Sequence, residues 1–131
     1  MDDVKTYKSF VDLDVWQLAR SYKLEIYNLV KEFPSNEKYR LEDQLIRASR
    51  SINSNIAEGY GRFTYKDQLH FCIQARGSLY ETINHLIDAS DCNYISSDTL
   101  NYFRSKASEV ERKLNGYITW LKTMIKDQVK K

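Results

Sequence analysis

Residues 41–61 read LEDQLIRASRSINSNIAEGYG, and the fold turns on this stretch. Leu41, Leu45, Ala48, Ile52 and Ile56 recur at intervals of three and four. At 100° per residue they fill an arc of about 80°, the narrow apolar face of a helix packed on one side. A strand would alternate every second residue, and nothing here does. The helix is expected over about 36–58, entered through Ser35 or Asn36. Gly59 and Gly61 then break it, with a left-handed C-terminus followed by a tight turn.

Working outward, the same period appears three more times. Upstream, Val15, Leu18, Ala19, Tyr22, Ile26, Leu29, Val30 and Phe33 predict a helix over about 12–32, capped by Asp12 or Asp14 and stopped by Pro34. Downstream, Thr64-Tyr-Lys-Asp67 has the form of a capping box. It opens a stripe of Leu69, Cys72, Ile73, Arg76, Leu79, Tyr80, Ile83, Leu86 and Ile87. Asp91–Ser97 carries turn residues, and Leu100, Phe103, Ala107, Val110, Leu114, Tyr117, Ile118, Leu121 and Ile125 mark a last helix over about 97–127. Four helices with short connections specify an all-α, antiparallel up-down-up-down four-helix bundle. Residues 1–131 are expected to form a single domain with an ordered core of about 10–127 and fraying ends at 1–9 and 128–131.

Composition agrees and excludes several classes. The 131 residues hold four glycines and one proline, about 4%, where average usage is roughly 12%. Hairpin-rich β folds and glycine-loop nucleotide sites are thereby disfavoured. No apolar run approaches the roughly 20 residues that span a bilayer, and MDDVKTYKSF has no signal-peptide core, so the expected compartment is the cytoplasm, with no membrane partner. The net charge is +2, but residues 96–131 alone sum to +4.

Chemistry-bearing patterns are sparse. Cys72 and Cys92 match no disulfide or zinc spacing and are expected to be buried, reduced thiols. His70 and His85 lie fifteen residues apart and belong to no HExxH, CxxC or Glu-x-x-His pattern, and no phosphate-cradling glycine motif occurs. No catalytic residue, metal or cofactor is expected, and the chain reads as a non-enzyme.

Two features stand out. Gln44, Arg47, Ser51, Asn55 and Glu58 form a polar stripe beside the apolar arc of the second helix. Amides, a hydroxyl and an Arg/Glu set suit a hydrogen-bonded network, either a subunit interface or a ligand-binding surface. The second feature is Arg76-Gly77-Ser78. A mid-helix glycine costs about 1 kcal/mol against alanine, so something needs the space. Arg76 on an apolar stripe needs a partner. Glu58 is the first candidate, but residues equidistant from the turn pair 58 with 65 and 47 with 76. That register sets Arg76 beside Arg47 and Ser51, where both arginines need a shared carboxylate or a phosphate.

Val15-Trp16-Gln17, Phe33-Pro34 with Glu37, QLIRA at 44–48, SINSNIAEGYGR at 51–62, Phe71 and ARGSLYE at 75–81 together resemble a known family. These are the small four-helix-bundle proteins encoded within intervening sequences of bacterial 23S ribosomal RNA genes, often labelled ribosomal proteins. The resemblance covers roughly residues 10–125. It implies a ring-shaped homopentamer related to the accessory variability protein of diversity-generating retroelements, which binds nucleic acid and a reverse transcriptase. The matching polar positions are Gln44, Arg47, Ser51, Asn55, Glu58, Arg62 and Arg76. Where the family often has a small residue before the leucine at 41, this chain has Arg40.

The resulting expectation is a non-enzymatic homo-oligomer that binds structured RNA. Arg40, Arg47, Arg50 and Arg62 would supply charge, and Tyr60 and Phe63 would offer rings for stacking or pack the bundle end. Seventeen aromatic residues exceed what one small core hides, which also points to subunit contacts. The alternative is a protein-interaction scaffold with no nucleic-acid role.

Overall fold

The computed structural model describes residues 9–130. They form four helices, α1 (Asp14–Leu29), α2 (Leu41–Tyr60), α3 (Tyr65–Asp91) and α4 (Ser97–Lys130), with short 3₁₀ turns before α1 and between α1 and α2. No strand occurs among the described residues. Cross-helix pairs give the directions. Ser51 meets Ser78 and Gly59 meets Phe71, so α2 and α3 are antiparallel. Arg76 meets Asn115 and Tyr80 meets Glu111, so α3 and α4 are too. Asp14 reaches Lys113 while Glu25 reaches Lys106, which makes α1 and α4 antiparallel.

The apolar arcs converge on one core, in which Ala19, Ile26, Leu45, Ile52, Ile56, Leu79, Leu86, Leu114 and Leu121 are fully shielded. The buried Tyr22 hydroxyl lies 2.8 Å from Thr82 Oγ1, which donates in turn to the Leu79 carbonyl, whereas Asn53 and His85 each pair through one nitrogen only and leave Asn53 Oδ1 and His85 Nδ1 without a partner among the described residues. Burial pushes the Tyr22 phenol up to about 12.

Helix boundaries depart from the sequence expectation in three places. Neither aspartate caps α1: its N-cap is Leu13, and Ser9 and Asp12 instead form a reciprocal capping box on the preceding 3₁₀ turn. α2 starts at Leu41, not near 36, because residues 35–40 offer the core no apolar side chain and Tyr39 is 84% exposed. Its first turn is held by Glu37, whose carboxylate accepts from the Leu41 N–H (3.3 Å) and from the Tyr94 hydroxyl (2.7 Å). The end of α2 is not left-handed: the helix continues through Gly59, and Gly61 caps it at a φ of −80°. The requirement at Gly59 is space. A Cβ there would lie 2.8 Å from Phe71 Cβ and 3.2 Å from the Gln68 carbonyl oxygen.

Other junctions follow the sequence. Thr64 Oγ1 accepts the Asp67 N–H at 3.1 Å and caps α3, without the return bond from the Asp67 carboxylate that would complete the expected capping box. The left-handed residue is Asn93 (φ 63°), which lets the Asn93 and Tyr94 N–H groups reach the Ser90 and Ala89 carbonyls and close α3. Cys72 is buried as expected, but Cys92 sits on this turn and is exposed. Residues 1–8 and 131, part of the expected frayed ends, lie outside the described residues, while 128–130 are helical.

Candidate nucleic-acid interface

The polar stripe of α2 lies on its α3 side. Ser51 and Ser78 hydroxyls meet at 2.8 Å, and Asn55 Nδ2 donates to the Ser51 carbonyl and hydroxyl. These groups form a partly buried network across the helix seam. Arg47 and Gln44 lie outside it, exposed. Arg47 pairs with Asp43 at 2.9 Å, and Arg62 pairs with Glu58 at 2.9 Å while covering the Phe71 ring. Arg50 donates to the Tyr27 hydroxyl at 2.7 Å, and Arg40 is exposed at the N-cap of α2. The expected arginine cluster is therefore spread along the whole 20-residue length of α2 and its two ends, and two of its members pair with a carboxylate one turn away. Phe63 is fully exposed on the α2–α3 link, whereas Tyr60 is partly buried near Tyr65 and Tyr117.

Arg76 points the other way. Neither Glu58 nor Arg47 is its neighbour: its guanidinium donates to Asn115 Oδ1 of α4 at 2.9 Å. The simple register failed because α3 begins more than a turn beyond the end of α2, so Ser78, not Arg76, stands opposite Ser51. Ile73 and Tyr80, expected in the core, flank Arg76 on the surface at 42% and 53% exposure. The inward stripe of α3 is Cys72, Ala75, Leu79, Thr82, Leu86 and Ala89, leaving these residues on its α4 edge.

That edge is an open groove of about 520 Å³ lined by Ile73, Arg76, Gly77, Tyr80, Glu111 and Asn115. A Cβ at Gly77 would meet nothing within 4 Å. The Tyr80 hydroxyl donates to Glu111 Oε2, and this bond, with the charge of Glu111, raises the phenol above its ordinary range. Tyr80 and Glu111 also line a continuing depression with Ile83, Arg104 and Ser108.

Electrostatically the two edges of α4 differ. Facing α1, Lys106 and Lys113 are matched by Glu25 (3.5 Å) and Asp14 (3.8 Å). Facing α3, residues 104, 108, 111, 115, 122 and 126 fall within an arc of about 60°. This edge carries Arg104, Lys122 and Lys126, and α3 adds Arg76. Among the described residues none of these four cations has a carboxylate at ion-pair distance, and Glu111, engaged by Tyr80, is the acid on that edge. Sequence reasoning missed Glu111, Asn115, Lys122 and Lys126. The signal was their shared spacing along one side of α4, visible only once α3 is known to lie there.

The model of the 23S rRNA-intervening sequence protein family matches residues 11–116. The chain belongs to that family. A crystal structure of a protein of unknown function from the S23 ribosomal protein family of Bacteroides thetaiotaomicron superposes with a TM-score of 0.74 at 22% identity, covering 80% of this chain and 95% of that one. It shows that the fold is shared. No curated protein matches the chain. No described helix is long and apolar enough to cross a membrane, and no cluster of three metal-ligating side chains occurs among the described residues.

Proposed function

We propose that this family member is a non-enzymatic, homo-oligomeric protein of the cytoplasm that binds structured RNA through the α3–α4 face. One observation carries the reading: Arg76, Arg104, Lys122 and Lys126 follow one helix seam without carboxylate partners among the described residues, while Lys106 and Lys113 on the other edge of α4 pair with Glu25 and Asp14 of α1. From 104 to 126 the row is about 33 Å long at 1.5 Å per residue, enough to follow several phosphates. The gain comes from counterion release, which adds with each phosphate contacted. Assembly, with five subunits as the resemblance implies, would multiply that weak surface by avidity. Leu24, Tyr39, Tyr102 and Trp120 are exposed apolar area that a second copy would cover.

The test is a gel shift of 23S rRNA fragments across a salt series. Four phosphate contacts per subunit give a slope of log K against log salt of about −3 to −4 for each engaged subunit. Reversing the row with Lys122→Glu and Lys126→Glu abolishes the shift without altering helicity. No shift at low salt, or a variant that binds like the wild type, refutes RNA binding by this face and leaves the scaffold reading. Light scattering at micromolar concentration that shows only a 15.5 kDa species refutes the oligomer.

A further inference from the structure

We infer that the Arg76–Tyr80 groove is a nucleotide subsite, which takes one unpaired nucleotide with its phosphate on Arg76 and its base against the Tyr80 ring. The inference rests on the RNA-binding reading and goes beyond it, because a basic row by itself follows any backbone, paired or not. Several observations converge. Arg76 is partly buried, spends one N–H on Asn115 Oδ1 and meets no carboxylate at ion-pair distance among the described residues, so donors remain for an anion. A bare guanidinium held in place by a neighbouring amide suits the bidentate geometry of a phosphate.

Tyr80 is 53% exposed, and its hydroxyl is tethered to Glu111, which fixes the ring as a flat platform one helical turn from Arg76. Gly77 stands between them on α3 with open space where a side chain would be, so a planar group can approach the helix backbone. The groove also presents opposite polarities: Arg76 and the Asn115 amide donate, while the Glu111 carboxylate accepts from a hydroxyl or an exocyclic amine. Glu111 repels a phosphate on its own side, which orients the nucleotide with its anion toward Arg76. Arg104, in the continuing depression, lies eleven residues before Asn115 on α4, about 16 Å away, and can take a neighbouring phosphate of the same strand. Base stacking on an aromatic platform beside a cation is how single strands are held, whereas a paired base cannot present its face.

The experiment compares fluorescence anisotropy of a short unstructured RNA and a fully paired RNA hairpin on the wild type, Tyr80→Ala, Tyr80→Phe and Arg76→Gln, each first checked for helicity and melting. Proton–nitrogen spectra of the same proteins with adenosine monophosphate or inorganic phosphate form a second arm. The expected result is a wild-type preference for the unpaired strand. Tyr80→Ala weakens that strand by about 5- to 150-fold, one stacked base, and leaves the hairpin unchanged. Tyr80→Phe retains most of the affinity because it keeps the ring. Arg76→Gln lowers the salt slope by about one contact. Adenosine monophosphate shifts the Gly77 amide in the wild type and not in Arg76→Gln, and inorganic phosphate shifts it more weakly. If Tyr80→Ala weakens both RNAs equally or neither, the subsite is refuted while RNA binding stands. If neither RNA binds but the mononucleotide does, the RNA-binding reading falls and the groove is a site for a free nucleotide. If the mononucleotide also leaves Gly77 unmoved, both fall.

Discussion

Replacing Gly59 and Gly77 by alanine, one at a time, separates two reasons for a glycine inside a helix. In an open helix the change is stabilising by about 1 kcal/mol, because alanine loses less backbone entropy on folding. At Gly77 a new methyl meets nothing within 4 Å, so Gly77→Ala should gain about that amount, or roughly 3–5 °C in melting temperature for a chain of this size. At Gly59 the methyl lies 2.8 Å from Phe71 Cβ and 3.2 Å from a backbone oxygen, neither of which can swing away without moving α3. Overpacking of this kind costs about 1–3 kcal/mol, which offsets the helix gain and leaves a net loss of up to about 2 kcal/mol. The two variants should therefore lie about 1–3 kcal/mol apart in urea-induced unfolding followed by circular dichroism, with Gly59→Ala the weaker. A Gly59→Ala protein as stable as Gly77→Ala would refute the close contact between α2 and α3. Gly116→Ala is a second open-space control and should follow Gly77→Ala.

Other outcomes follow from the same geometry. The Tyr94 hydroxyl, the Leu41 N–H and Arg40 hold the Glu37 carboxyl below its ordinary range. A depressed acid stabilises the fold above its unfolded pKa and loses that contribution as pH falls through the folded value, so Glu37→Gln should flatten the acid limb of stability against pH. Burial pushes Tyr22 to about 12, so stability should decline as pH rises from about 10 towards 12, with Tyr22→Phe removing part of the slope. Native protein should expose one fast thiol, Cys92, to a disulfide reagent; Cys72, buried and pushed up to about 11, should react only on unfolding. Arg47→Ala should change stability by less than about 0.5 kcal/mol, since its partner Asp43 is one turn away on an exposed surface.

Much of the fold was legible in local pattern. The stripe of Leu41, Leu45, Ala48, Ile52 and Ile56 is buried as its spacing requires, and Thr64 caps α3 as its side chain allows. These are short-range facts: a helix period and a cap depend on residues within a turn or two. The start of α2 was misplaced because nothing between 35 and 40 contradicts a helix locally; only the absence of anything to bury ends it there. Register lay outside the local pattern altogether. Whether Arg76 faces Arg47 or Asn115 depends on how far α3 extends past the end of α2 and on which side α4 packs. Helix identity, the apolar faces of α1, α2 and α4 and family membership were thus set by the sequence, through periodicity and a few specific motifs, while the edge of the α3 face, where Ile73 and Tyr80 lie exposed, was not. The pairing of Lys106 and Lys113, the row from Arg104 to Lys126 without ion-pair partners among the described residues and the groove at Arg76 were decided by tertiary packing, because charges far apart in the chain cancel or stand alone only according to which helices lie side by side.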